Sequence, residues 1–324
     1  MIPTPRLKGA ISTLERAKRP ILVTHQRPDG DAIGSALGLG LLLETLGANV
    51  QLACADPVPG RYRFLAGSER FTTDPDFKDA DLLVMLDCPK DDMSALDIPQ
   101  VLRRMPVVDI DHHPRTAPPR DRRLAVYDHT ASSAAEMVYV LAQDAGWLID
   151  RIAATALLTG IVTDTSAFIN ATTTADTYRA ASALLRRGAN LKAIIQHCFY
   201  HSSVPKLQLW GRAMSRIRQH PQSAGVVSTV LTAEDLKECG ADREDIEGLV
   251  NFLNSIPGVP ALILLTDLGR GEIKGSFRTR NEAIDVNKLA GVLGGGGHKQ
   301  AAGFTIPGRL VKNANETWSV LPPA

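Results

Sequence analysis

Three short apolar runs in this chain each end on a side chain that can bind a metal or move a proton. Pro20–Thr24 runs into His25, Asp81–Leu86 into Asp87, and Val107–Ile110 into Asp111, His112 and His113 before Pro114 stops the pattern. Apolar runs of this length, rich in Val, Ile and Leu, read as strands buried on both faces of a parallel sheet. Parallel neighbours need long crossovers, usually helical. In an open sheet of that kind, ligands bind outside the carboxyl ends of the strands. The three runs therefore predict one sheet with its chemistry along one rim.

The rest of the first two thirds fits that plan. Arg27–Asp31 is turn chemistry, Ala32–Leu46 has helical spacing with Gly47 as its C-cap, and Asn49–Ala53 is a strand. Arg61–Asp79 is mixed and partly helical. Leu124–Tyr127 is a fifth strand, followed by helices at Ser132–Ala145, Asp150–Val162, Thr174–Arg187 and Leu191–Phe199. From about Ser203 the character changes. Lys206–Arg218 reads as a connecting helix. Strands follow at Gly225–Leu231, Pro260–Thr266, Glu272–Thr279 and Ala302–Ile306, with helices at Asp245–Ser255 and Asp285–Leu293. The expectation is α/β, a mainly parallel sheet over 1–189, a helical linker over 190–218, and a smaller α+β domain over 219–324.

Composition restricts the partners. The 324 residues carry a formal net charge of +1, and no strongly basic tract suggests a grip on long nucleic acid. A small or short phosphorylated ligand in a cleft suits this balance better. The cysteines Cys54, Cys88, Cys198 and Cys239 form no C-x-x-C pair, so neither a disulfide framework nor a zinc ribbon is indicated. No apolar run reaches membrane-spanning length and no signal-peptide core precedes Lys18, so a cytoplasmic location without membrane contact is expected.

Six residues stand out as metal ligands: His25, Asp29, Asp31, Asp87, His112 and Asp164. Asp29 and Asp31 lie in the turn after the first strand. Asp164 closes an apolar helix. Taken singly, each is more often a cap, a turn former or a satisfied polar residue. Together, strand, His-x-x-x-Asp-x-Asp and helix, with two further strands ending in Asp and Asp-His-His, make coincidence a poor account. Imidazole and carboxylate donors without thiolate suit Mn²⁺, with Mg²⁺, Fe²⁺ or Co²⁺ less distinctive. Four carboxylates match the charge of two divalent ions, and such a pair supports attack on phosphorus.

These segments resemble the successive motifs of the DHH phosphoesterase superfamily: His25 to Ser35, Leu86-Asp87-Cys88, Asp111-His112-His113 and Thr163-Asp164-Thr165. Gly294 to Phe304, with four glycines before His298, resembles the DHHA1 accessory domain. Length and arrangement are similar to the branch of short-RNA oligoribonucleases and 3′-phosphoadenosine 5′-phosphate phosphatases. The resemblance implies two Mn²⁺, with Mg²⁺ or Co²⁺ as substitutes. One would be held by His25, Asp29 and Asp87, the other by Asp31, Asp87, His112 and Asp164. It also implies Asp111 as an orienting group and His113 as the contact and proton donor at the scissile phosphate. Short single-stranded RNA and phosphorylated nucleotides become the expected substrates, and a homodimer is plausible by family likeness.

The glycine run, Gly295, Gly296 and Gly297 with Gly294, reads either as a phosphate-cradling nest or as a flexible C-cap. His298 beside it and Arg278 on a neighbouring strand favour the nest, with Arg278 gripping a terminal phosphate bidentately. Hydrolysis would then lie between the domains, with a hinge in the linker. Phe168, just past Asp164, reads as a core aromatic, and base stacking is its second reading. Competing functions are a phosphodiesterase of linear or cyclic dinucleotides such as cyclic di-AMP, and a RecJ-like single-strand DNA exonuclease. A family pyrophosphatase is disfavoured because its second domain lacks the glycine-run signature. A silent nucleotide-binding module is disfavoured because all six ligand positions are filled.

Overall fold

In the computed structural model, the residues described are 4–88, 94, 96, 105–113, 123–200, 203–267, 269 and 271–322. The chain divides into two compact units, Met1–His201 and Ser202–Ala324. The first contains, in order, α1 (Thr4–Arg16), β1 (Pro20–Val23), α2 (Gly30–Thr45), β2 (Gln51–Ala53), β3 (Phe71–Thr72), β4 (Leu82–Leu86), β5 (Val107–Asp111), β6 (Arg123–Tyr127), α3 (Ala134–Ala145), α4 (Arg151–Asp164), α5 (Ala175–Arg186) and α6 (Leu191–Cys198). Its six strands pair in parallel in the order β3-β2-β1-β4-β5-β6.

That order runs outward in both directions from the β1–β4 pair. In doubly wound sheets such a reversal opens a crevice at the strands' carboxyl ends. The central strands β1, β4 and β5 are buried throughout because each face has its own core. Leu22, Val84, Leu86, Val108 and Ile110 pack on one side with α2, α3 and α4. The alternate residues Ile21, Val23, Leu83, Met85 and Val107 form a smaller cluster on the other. The continuous apolar runs in the sequence thus fold as two interleaved sets with period two.

Helix α2 is buried almost all round and crosses α4 closely. Glycine makes that crossing possible. A methyl group on Gly34 would stand 2.5 Å from the carbonyl oxygen of Ala156, and one on Gly160 would stand 2.7 Å from Asp31 Oδ1. Only hydrogen fits at either place.

The second unit contains α7 (Val204–Ser215), β7 (Arg218–His220), β8 (Val226–Thr232), α8 (Ala233–Cys239), α9 (Leu249–Leu253), β9 (Leu262–Asp267), β10 (Glu272–Arg278), α10 (Val286–Val292), β11 (Gly296–His298), β12 (Ala301–Pro307), β13 (Arg309–Lys312) and β14 (Trp318–Leu321). Its main sheet has the order β11-β12-β10-β9-β8-β7 and is antiparallel except for the β8–β9 pair. The remaining strands, β13 and β14, form a separate hairpin.

The structure corrects several expected elements. The helix predicted over Asp245–Ser255 is a 3₁₀ turn, Arg243–Ile246, followed by the short α9. Gly248, with φ +88°, stands between them, and that left-handed residue cannot continue a helix. The connecting helix stops at Ser215 because Arg218 already belongs to β7. The sequence reading missed α1, whose buried Leu7, Ala10 and Leu14 carry a helical period, and it missed α8. It also closed the chain one hairpin early. No helix among the described residues is long and apolar enough to cross a membrane.

Candidate metal centre

The turns after β1, β4 and β5, at the carboxyl rim of the first sheet, each bring in donors. His25 follows β1 by two residues. Its Nδ1 lies 2.8 Å from the carbonyl oxygen of Gln26. Donation of that N–H leaves Nε2 bare and directed inward, the usual arrangement for a ligating imidazole. Asp29 caps α2, and its Oδ1 accepts from the N–H groups of Asp31 and Ala32, both at 3.0 Å. Cap and candidate ligand are the same side chain.

Asp31 sits in the first turn of α2, fully buried. Its Oδ2 accepts from Ala134 N at 2.6 Å and its Oδ1 from Ala135 N at 2.9 Å. These are the first N–H groups of α3, at the positive end of that helix. The sequence reading identified both the acid and the helix but not their union. No local pattern links residues a hundred positions apart.

Asp87 comes one residue after β4 and has φ +55°. Its N–H still donates to the carbonyl oxygen of Ile110 at 3.0 Å, so the left-handed turn lifts the carboxylate off the sheet edge. The carboxylate is central to the site. Oδ2 lies 3.5 Å from His25 Nε2, and Oδ1 lies 3.6 Å from His112 Nε2 and 3.3 Å from His113 Nδ1. His112 Nε2 also stands 3.9 Å from Asp31 Oδ2 and 3.6 Å from Asp164 Oδ2. Asp164 is the last residue of α4.

Ligand atoms therefore gather in three overlapping sets: His25, Asp29 and Asp87; Asp31, His112 and Asp164; and Asp87, His112 and His113. Within each set they lie no more than 4.8 Å apart. Most separations are longer than a hydrogen bond. Two donors on one ion with bonds near 2.1 Å stand about 3–3.5 Å apart, close to what is seen. The buried Asp87 Oδ1 accepts no well-formed hydrogen bond among the described residues, which is costly unless a cation meets it. The donor set fits divalent cations.

Electrostatics give the same answer. Burial would lower the pKa of His25, yet Asp29 and Asp87 outweigh it and raise it to about 11. His112 is raised to about 9 against burial by Asp87 and Asp31. Burial, reinforced by Asp87, lifts Asp31 well above the ordinary carboxylate range. Burial also raises Asp164 to about 7, with Asp87 and Asp29 adding to it. Asp87 is held well below its usual value by His112, His113 and His25, despite burial. Without a cation, this cluster draws protons to itself.

Asp111, expected as an orienting group, lies against His113. Its Oδ1 accepts from His113 N at 3.0 Å and lies 2.9 Å from His113 Nδ1. The pair fixes the His113 ring and leaves Nε2 on the side away from Asp111. His113, partly exposed, is raised to about 11 by Asp111 and Asp87 against burial.

In the second unit, Arg278, Ala301 and His298 occupy one cross-strand row over β10, β12 and β11. The next row on that face is Ser276, Gly303 and Gly296. Arg278 and His298 thus flank a trough floored by small residues, about 10 Å apart across two strand spacings. The opposite face, with Phe277 and Ala302, is packed by Val286 and Ala290 of α10. Arg278 Nε donates to Asn251 Oδ1 at 2.8 Å and Nη1 to the carbonyl oxygen of Phe277 at 2.9 Å. Burial lowers its pKa, and no carboxylate among the described residues offsets that.

The glycine run divides between a helix end and a strand. Gly294, with φ +74°, ends α10, while Gly296 and Gly297 enter the edge strand β11. A methyl group on Gly295 would stand 2.1 Å from the carbonyl oxygen of Gly303, so these glycines let two backbones touch. Asn251, which positions Arg278, had no signal in the sequence.

Comparisons with known proteins follow the same division. The DHH family N-terminal domain matches residues 20–161, and the DHHA1 domain matches residues 223–319. The bifunctional oligoribonuclease and PAP phosphatase NrnA of Thermus thermophilus is 33% identical over 325 residues, covering 97% of this chain and 94% of its own length. Its namesake in Bacillus subtilis is 28% identical over 300 residues, covering 91% and 92%. Among solved structures, an exopolyphosphatase-related protein from Bacteroides fragilis matches with a TM-score of 0.85 at 26% identity, over 94% of this chain and 92% of that one. This chain belongs to the DHH family, with a DHHA1 domain after the DHH domain, and is a phosphoesterase.

Proposed function

We propose that the protein hydrolyses very short oligoribonucleotides to mononucleotides and converts 3′-phosphoadenosine 5′-phosphate to AMP, using two divalent cations, Mn²⁺ foremost. The observation that carries this reading is the pair of ligand sets on either side of Asp87. His25 and Asp29 would hold one ion with it; Asp31, His112 and Asp164 would hold the other. Bound there, the cations would supply positive charge at the reacting phosphate and lower the pKa of a bound water.

The chain's own residues do the rest. Gln26 and the α3 amides orient His25 and Asp31. Asp111 holds His113 so that Nε2 can touch a phosphate oxygen and pass a proton to the leaving oxygen. In the second unit, Arg278 supplies a half-buried cation with no carboxylate partner among the described residues, and His298 a second polar tip, both suited to a phosphate. The relatives named as oligoribonuclease and PAP phosphatase support this substrate class. The net charge of +1 favours short substrates over long strands.

The test is one Mn²⁺-dependent assay over a pdinucleotide, longer RNA, single-stranded DNA, cyclic di-AMP and 3′-phosphoadenosine 5′-phosphate. Turnover should be fastest on the first and last. Preference for the cyclic dinucleotide, or full activity in Asp87→Ala or His112→Ala, would overturn the proposal.

A further inference from the structure

We propose that Phe168 and Tyr178 form a nucleobase platform beside the metal centre. The inference rests on the reading of the site as one that takes nucleotides, and it names the surface that would recognise their bases. The starting point is the turn after Asp164. Ser166, Ala167 and Phe168 have φ of +49°, +58° and +68°, three consecutive left-handed residues without a glycine among them. Each such residue is strained, and a run of three persists only where the surroundings enforce it.

The enforcement is visible. Thr165 Oγ1 accepts from Phe168 N at 3.0 Å, and Ala167 N donates to the carbonyl oxygen of Val162 at 2.7 Å. Asn170 Nδ2 donates to the carbonyl oxygen of Asp164 itself at 2.8 Å. The turn is thus tied to the backbone of a candidate ligand. Four residues span at most about 14 Å, so the Phe168 backbone lies within that reach of Asp164.

What the strain presents is aromatic surface. Phe168 stacks on Tyr178 with ring centroids 5.2 Å apart and planes 23° from parallel. Tyr178 is 54% exposed, and Ile169 beside the pair is 76% exposed. Phe168 is partly buried against the core of the first unit, which anchors the stack, and its exposed partner is Tyr178. A two-ring stack next to a centre built for phosphate offers a flat apolar face to a group covalently joined to that phosphate. A purine or pyrimidine has that shape, and stacking accepts every base, as an enzyme degrading mixed sequences requires.

The experiment compares AMP with ribose 5-phosphate, which shares the phosphate and sugar but has no base, in calorimetric titrations of the Mn²⁺-loaded protein. AMP should bind about tenfold more tightly. The difference should close in Tyr178→Ala, an exposed change that leaves the fold intact, and in Phe168→Leu, which keeps the apolar volume. Tyr178→Trp should retain it. Equal affinity for the two ligands in the unaltered protein would overturn the platform, as would an undiminished preference in Tyr178→Ala. An AMP preference that closes in Tyr178→Ala, in a protein that hydrolyses none of the nucleotide panel, would instead refute the proposed activity and leave the platform standing.

Discussion

Replacing Asp164 with asparagine should stabilise the metal-free protein. Asp164 lies 3.6 Å from His112 and shares a crowded site with Asp31, Asp87 and Asp29. Burial, then the neighbouring carboxylates, raise its pKa from 3.8 to about 7. In the unfolded chain the group ionises near pH 4, while in the folded metal-free state it keeps its proton until about pH 7. Folding stability contributed by the neutral acid is therefore complete below pH 4 and is lost as pH rises toward 7. The full shift is worth about 4 kcal/mol. The side chain retains 30% exposure, and screening reduces that to about 2–3 kcal/mol. Asparagine has no such dependence. With EDTA present, Asp164→Asn should melt about 5–10 °C above the unaltered protein at pH 8, with the gap closing below pH 4. Saturating Mn²⁺ should reverse the order, because the unaltered protein then gains binding free energy that the variant lacks. A metal-free variant less stable than its parent at pH 8, or a gap that ignores pH, would refute the reasoning.

Four further outcomes follow from packing and charge. Gly160→Ala places a methyl group 2.5 Å from Ala135 Cβ and 2.7 Å from Asp31 Oδ1, and should cost about 1–3 kcal/mol in urea unfolding while weakening Mn²⁺ binding. Gly211→Ala, in α7 with nothing within 4 Å, should instead add about 0.4–1 kcal/mol. Asn251→Ala should free the Arg278 guanidinium and raise KM for 3′-phosphoadenosine 5′-phosphate several-fold with little change in kcat. Asp235, almost fully buried, is held at about 2, against burial, chiefly by Arg216 and then Thr232 and Arg212. Its contribution of about 2 kcal/mol is present above pH 4 and lost as pH falls toward 2, so Asp235→Asn should remove the corresponding part of the acid transition seen by circular dichroism.

The sheet was legible because its strands are short apolar runs with chemistry at one end. Parallel pairing buries both faces, and the sequence shows that directly. The positions of His25, Asp87 and His112 followed from the strand ends. What stayed hidden was whatever depends on distant segments meeting. Asp31 is secured by amides of Ala134 and Ala135, and Gly160 makes room for it. The glycine run before His298 was ambiguous because glycine serves a loop, a nest and a close strand approach equally well. Only the β12 register separates them. Helix α9 was overestimated because apolar spacing continues across Gly248 while the backbone does not.

The backbone places its strain where the chemistry needs it. Among the described residues, seven without glycine's freedom have positive φ, and five of them, Arg27, Asp87, Ser166, Ala167 and Phe168, lie in turns that carry candidate ligands. The Asp87 turn lifts a carboxylate clear of β4. The Arg27 turn is held by its N–H donating to Asp56 Oδ2 at 2.7 Å, and it sets the path from His25 to Asp29. Such conformations cost about 1–3 kcal/mol each, and the gathered carboxylates add to that. The two interleaved cores of the first sheet can sustain the load because β1, β4 and β5 are fully buried between them. Cations that met these charges would return part of it, and metal binding and folding would then be linked in this unit.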